Sequence, residues 1–287
     1  MIQAIAAIRL RMRSVSNIRK ITRAMEMISM SKLNRVRSSL FTMRHYFVRL
    51  ESMLKDFLAH TGYVSHPLLE KRPMSGKTGL CIITSDTGLC SIYNQAIIKV
   101  SEVFMEKFKK ENIKLMIVGK EGNHHFKKSG FEIRNTYLEL HGRYPPRLSD
   151  RIATDLINLF LSRDIDEVYI AYTHFESTLR HRPRIEKFVN IEYADNLYRD
   201  YLILEPDAKR VAEELIPKYL SEKFHLALLE ALTSEHAARM FAMKTATDNA
   251  DELMDTLTLL RNKARQAAIT KEVIEIASSA EAMKMKE

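Results

Sequence analysis

The stretch L33-NRVRSSLFTMRHYFVRLESMLKD-F57 decides the fold. Its apolar residues Leu33, Val36, Leu40, Met43, Phe47, Leu50, Leu54 and Phe57 alternate spacings of three and four without a miss. That is a heptad seam, the mark of a helix lying against another helix. Upstream, Ile5, Ile8, Met12 and Val15 follow the same rule, as do Ile18, Ile21, Met25 and Ile28. The three blocks are out of phase, which predicts local over- or unwinding of the coil. Near the other end, Leu253, Leu257, Leu260, Ala264 and Ala267 form a similar seam, its alanines allowing close approach.

Glycine and proline frame these helices. All eight glycines fall between Gly62 and Gly142, and all seven prolines between Pro67 and Pro217. Glycine costs about 1 kcal/mol in a helix interior and proline about 3. Residues 1–61 and 218–287 contain neither and read as unbroken helices. At about 1.5 Å per residue they would reach on the order of 90 and 100 Å. Helices of that length survive by wrapping around each other.

The middle reads differently. Apolar runs at 79–85, 113–118 and 167–172, with a possible further strand at 131–140, alternate with helical stretches at 93–111 and 148–162. That order predicts an α/β domain with a mainly parallel sheet. The fold class is therefore α/β plus a long α-helical coiled coil. The expected division is an N-terminal coiled-coil helix over 1–62, a Rossmann-like domain over 63–206 and a C-terminal coiled-coil helix over 207–287.

Composition narrows the function. The 287 residues are 46% apolar and 28% charged, which excludes disorder. No stretch approaches the roughly 18 apolar residues of a membrane span, and no secretory signal opens the chain. Two cysteines, Cys81 and Cys90, exclude a disulfide scaffold and a four-cysteine zinc module. The net charge is +9, and residues 1–60 alone hold 12 Lys/Arg against 3 Asp/Glu. Arg9, Arg11, Arg13, Arg19, Lys20 and Arg23 admit three readings. They suit a mitochondrial presequence, a nucleic-acid surface, or a helix facing acidic protein loops. Helical periodicity running through any cleavage point argues against the first.

Enzyme chemistry finds little support. Ser75-Gly-Lys-Thr78 resembles the end of a phosphate loop, but Lys71 stands where the motif needs glycine, and the fragment precedes a strand. No GxGxxG is present. Cys90 lacks an activating histidine and reads as a buried thiol. The adjacent His124 and His125 read as loop residues. The methionines read as gap-filling core, or as a surface that adapts to several partners.

Specific strings go further. Ile8–Val36 resembles the N-terminal helix of the gamma subunit of F-type ATP synthases, most closely at Lys20-Ile-Thr-Arg-Ala-Met-Glu-Met27 with Ser31-Lys32. Ser85-Asp-Thr-Gly-Leu-Cys90 with Tyr93-Asn94 resembles that family's loop after the first strand. Ser234-Glu-His-Ala-Ala-Arg-Met240, Ala246-Thr-Asp-Asn249 and Asn262-Lys-Ala-Arg-Gln-Ala-Ala-Ile-Thr270 resemble its C-terminal helix. Thr87 stands where the family usually has arginine, and Ser91-Ile92 where it has Gly-Gly. The cysteine-bearing redox insert of chloroplast members is absent.

The resemblance implies that the N- and C-terminal helices pair as an antiparallel coiled coil, a rotor shaft inside a hexamer of catalytic and non-catalytic subunits. An epsilon-type subunit and a membrane rotor ring would lie at its foot. It implies catalytic-subunit contacts at Arg23, Met25, Glu235, Arg239, Arg265, Gln266 and Thr270, and rotor-ring contacts at Tyr201 and Glu205. It implies no catalytic site, no cofactor and no metal in this chain. The expected place is the cytoplasmic face of a bacterial inner membrane, in preference to a mitochondrial matrix face. Two other classes compete: a nucleic-acid-binding coiled-coil protein with a salt-sensitive basic helix, and a small-molecule α/β enzyme with helical arms.

Overall fold

The structure, a computed structural model, describes residues 2–61, 64–70, 76–140, 142, 144–189, 191, 204–205 and 207–284. Two helices dominate: α1, Ile2–Thr61, and α5, Ala208–Lys284. Between them lie β1 (Thr78–Ile83), α2 (Tyr93–Met105), β2 (Ile113–Val118), α3 (Lys120–Phe126), β3 (Glu132–Tyr137), α4 (Pro146–Leu161), β4 (Glu167–Ser177) and β5 (Arg180–Lys187). The chain divides into two compact units, residues 1–28 with 240–287, and residues 29–239.

In the larger unit the sheet order is β3-β2-β1-β4-β5. The first four strands are parallel, and β5 returns antiparallel along β4. Strand alternation puts Leu80, Ile82, Leu115, Ile117 and Ala171 on one face, where they pack with Ile97 and Met105 of α2 and Phe126 of α3. The other face meets α4: a side chain at Gly79 would strike Leu159 and Ile165. Three features differ from the sequence reading. The helix expected over 93–111 stops at Met105. His124 and His125 belong to the short helix α3, not to a loop, and His125 bonds Glu102 at 2.7 Å. Strand β5 was not foreseen, because RHRPRIEK carries neither apolar alternation nor a proline-free run. An edge strand tolerates both, since one side of its backbone needs no partner.

In this unit α1 and α5 run antiparallel. Arg44 pairs with Glu230, and three residues further along α1 Phe47 stacks on Tyr219, further back along α5. Of the eight seam residues from Leu33 to Phe57, six are buried, and Met43 and Phe47 are half-buried. The helix α5 begins ten residues before the proline-free stretch and carries Pro217 inside it. Proline there leaves the Glu213 carbonyl without its helical donor.

The smaller unit corrects two seams. Its core is Val15, Ala250 and Leu257 with Ile8, Met12 and Met254 against them. Ile18, Ile21 and Ile28 are exposed, so the block Ile18–Ile28 is not the seam. The buried residue in that block is Thr22; Ser29, the first residue of the larger unit, is the next buried one along α1. Positions 15, 22, 29 and 36 are seven apart, so the heptad runs through α1 without the expected phase breaks; it is polar where an apolar stripe turns outward. On α5, Leu253, Leu260 and Ala267 are exposed, and the buried line is Met243, Thr247, Ala250 and Leu257. Thr22 and Thr247 bond hydroxyl to hydroxyl at 2.8 Å, and Arg19 reaches Asp251 at 2.9 Å. These pairs are also antiparallel.

Candidate functional site

Open α/β sheets take ligands in the crevice beyond the carboxyl ends of their strands. Here that crevice is filled by the protein itself. Residues 231–239 of α5 lie there, and all nine are buried. The Tyr93 hydroxyl donates to the Ala231 carbonyl at 2.9 Å, and the Ser234 hydroxyl to the Thr173 carbonyl at 3.1 Å. What remains among Thr84, Asp86, Tyr93, Leu140, Leu232 and Glu235 has no room for a water molecule.

The loop after β1 is held from the same helix. Arg239 donates to Glu235 at 2.7 Å, to the Thr87 carbonyl and hydroxyl at 2.7 and 2.9 Å, and to the Gly88 carbonyl at 3.2 Å. Burial pushes the Glu235 carboxyl up, and the Arg239 guanidinium pulls it back. Glu235 and Arg239 are thus brought together, each satisfied within the chain. Asn94 closes the loop from inside, accepting from the Ser85 N–H at 3.0 Å and donating to its hydroxyl at 2.7 Å. Cys90 is buried beside them, as its sequence context suggests, and burial raises its thiol. Ser91 takes φ +55, a conformation glycine adopts freely, at the position where the resembling family carries glycine.

His236 is buried and bonds the Gly142 carbonyl at 2.8 Å. Gly142 has φ +63, and a Cβ on it would lie 2.6 Å from the imidazole. Only glycine fits opposite this ring. Burial lowers the His236 pKa to about 4, against the opposing pull of the Gly142 carbonyl. The unfolded chain therefore binds a proton below about pH 6.5 that the folded chain refuses. Stability from this group is complete above that pH and falls as pH drops toward 4, by about 3 kcal/mol in all. Urea unfolding at pH 7 and pH 4.5 checks this. His236→Leu is expected to flatten the pH dependence relative to the parent.

The other candidate residues lie apart from this crevice. Arg23 is exposed and Met25 half-buried, one turn from the Thr22–Thr247 layer. Arg265, Gln266 and Thr270 are exposed on α5, and the Thr270 hydroxyl bonds back to the Gln266 carbonyl. Glu205 is exposed, and Tyr201 lies outside the described residues. Thr22, Thr247, Tyr93 and His236 all fall inside the quoted strings, but sequence reasoning gave none of them a role of its own. For Thr22 a signal existed: the Leu33 heptad extended backwards lands on it. Among the described residues no His, Cys, Asp or Glu cluster has the makings of a metal site, and no helix is long and apolar enough to cross a membrane.

An antiparallel pair of very long helices, built with a Rossmann-like domain whose ligand crevice is closed by one of them, defines a coiled-coil subunit class. The family model described as ATP synthase matches residues 4–283. The "ATP synthase gamma chain" of Protochlamydia amoebophila is 37% identical over 281 residues, covering 96% of this chain and 98% of that one. That of Roseiflexus castenholzii is 40% identical over 285 residues, covering 96% and 97%. Among solved structures, a chain of the Euglena gracilis mitochondrial ATP synthase, in its OSCP/F1/c-ring assembly, shares the fold with a TM-score of 0.70 at 18% identity, covering 99% of this chain and 95% of that one. The chain belongs to the ATP synthase gamma chain family.

Proposed function

We propose that this chain is the central rotor shaft of a rotary F-type ATP synthase, coupling ion flow through a membrane rotor ring to conformational change at catalytic sites on a surrounding hexamer. The observation that carries this is the distribution of apolar surface in the smaller unit. It buries Val15, Ala250 and Leu257, yet leaves Ile18, Ile21, Ile28, Leu259, Ile269 and Val273 more than half exposed. A coil that buries a thin apolar core and a Thr22–Thr247 layer while leaving this much apolar surface outside is built for a surrounding partner. The segments 1–62 and 207–287 then form the coiled coil that flanks the domain 63–206.

Arg23, Met25, Arg265, Gln266 and Thr270 meet catalytic subunits in this reading. Glu235 and Arg239 complete the set of contacts in this reading, and Arg239 also holds the Thr87 and Gly88 carbonyls beside exposed Leu89. Tyr201 and Glu205 face the rotor ring, and an epsilon-type subunit binds the foot. The chain itself carries no catalytic site and no cofactor: it pushes on sites held by others. It works peripherally at the cytoplasmic face of a bacterial inner membrane. Torque needs a stiff rod, and α1, a 60-residue helix without glycine or proline, supplies one.

Purification of the tagged chain from its membranes, with subunit mass analysis, tests the assignment. Recovery with hexamer, epsilon-type and ring subunits is expected, and recovery of the chain alone would contradict it. A sharper prediction concerns Arg265. It is exposed, and its helix neighbours Arg261, Asn262, Ala268 and Ile269 offer no carboxylate. A planar guanidinium grips a carboxylate through two parallel hydrogen bonds, which lysine cannot do. Arg265→Lys is expected to weaken coupled ATP turnover while leaving the stability of the isolated chain unchanged. Parental turnover in the assembled lysine variant would remove Arg265 from the contact set.

A further inference from the structure

We infer that residues 231–239 of α5 form a mechanical joint that locks the α/β domain to the helix, so that the two turn as one body under load. The inference rests on the rotor reading. Toward its ends α5 shows one face to solvent; residues 227–239 are thirteen consecutive buried residues, and 231–239 are the part of that run held by the bonds to the domain. The bonds that hold it converge from different parts of the domain. Tyr93 comes from α2, Thr173 from β4, Gly142 from the connection after β3, and Thr87 with Gly88 from the loop after β1.

Two features suit these bonds to carrying load. Each joins a side chain to a backbone carbonyl, so the contact is fixed by main chain and not by two flexible side chains. They also come from four separate parts of the domain, so turning α5 about its own axis would have to break all of them together. Gly142 adds a steric stop, since its missing side chain is the space the His236 imidazole fills. The domain thus uses the crevice in which related architectures hold ligands to hold a helix of its own chain. The competing view is that these contacts only fold the domain, with load passing through α1 and α5 alone.

The test uses the holoenzyme reconstituted in vesicles, with Tyr93→Phe, Ser234→Ala and His236→Leu combined. These exchanges remove three hydrogen bonds and keep most of the packing volume. ATP hydrolysis is assayed together with the membrane potential reported by an oxonol dye, which responds to any pumped cation. The variant is expected to assemble with parental subunit composition and to hydrolyse ATP at the parental rate, but to lose pumping per ATP. Tyr93→Phe alone should show a smaller loss in the same direction. Parental pumping per ATP in the triple variant would overturn the joint. So would failure of that variant to assemble, because it would make the segment a folding element. Failure of the parent chain itself to assemble with hexamer and ring would instead sink the rotor reading.

Discussion

Arg44→Met is expected to cost about 3–5 kcal/mol of unfolding free energy, the usual penalty for orphaning a buried charge. Glu230 is the reason. Its side chain is 2% exposed, and Arg44 holds both its oxygens, with Nε at 2.7 Å and Nη2 at 2.8 Å. The Phe175 N–H donates to it at 2.7 Å, and His174 stands 3.3 Å away. Arg44 also bonds the Phe175 carbonyl, so one guanidinium ties α1 to α5 and β4. Methionine keeps the stem and removes the charge, leaving a carboxylate with one main-chain donor and no counter-ion. The converse exchange should cost less, because the Arg44 side chain is 28% exposed and can turn to water. Adding Glu230→Gln to Arg44→Met should restore most of the loss, since the amide oxygen still accepts from Phe175 and no charge remains buried. Urea unfolding of the two single variants and the pair, followed by circular dichroism, gives the comparison. Equal costs for the two single variants would show that the pair contributes only packing.

Gly119→Ala should be comparably damaging for a backbone reason. Gly119 follows β2 with φ +98 and ψ +149, a region open essentially to glycine alone. Its N–H donates to the Tyr137 carbonyl at 2.8 Å, and its neighbour Thr84 receives the Gly122 N–H at 2.9 Å. A methyl group would run into the Thr84 main chain, 2.7 Å from the carbonyl carbon. Main chain cannot move aside as a side-chain tip can. The strained backbone accounts for about 1–3 kcal/mol, and the overpacking for about 1–3 more. The expected result is a melting temperature lowered by many degrees, or a chain that no longer accumulates in soluble form. A melting temperature equal to the parent's would mean that the β1 and β2 ends are far more yielding than their hydrogen bonding indicates.

What the sequence made legible follows a physical division. Strands β1, β2 and β4 are buried on both faces, so they stand out as apolar runs such as Leu80–Ile83. Strand β5 has one neighbour and bears Arg180, Arg182 and Arg184 toward water, so its residues carry no such run. The Leu33–Phe57 seam was legible because apolar spacing and burial coincide there. They part company at Ile18–Ile28, where the apolar residues point out and Thr22 points in. A rule that looks for buried apolar residues selects the wrong face of a helix whose apolar residues point outward. The crevice bonds were illegible for another reason. Tyr93 and Ala231 lie 138 residues apart, and His236 and Gly142 lie 94 apart, so no local pattern links them. The glycine-like φ of Ser91 was visible only as a departure from the family's Gly-Gly.

The rotor account is tested most directly by watching the chain turn. The hexamer carrying this chain is fixed to a surface, and a gold nanorod is attached through a cysteine placed at exposed Arg182 on β5, Cys81 and Cys90 being buried. On addition of MgATP, the account predicts rotation in one sense, in steps set by the symmetry of the hexamer, that stops when ATP is exhausted. A nanorod that stays still while the same immobilised complexes hydrolyse ATP would contradict it.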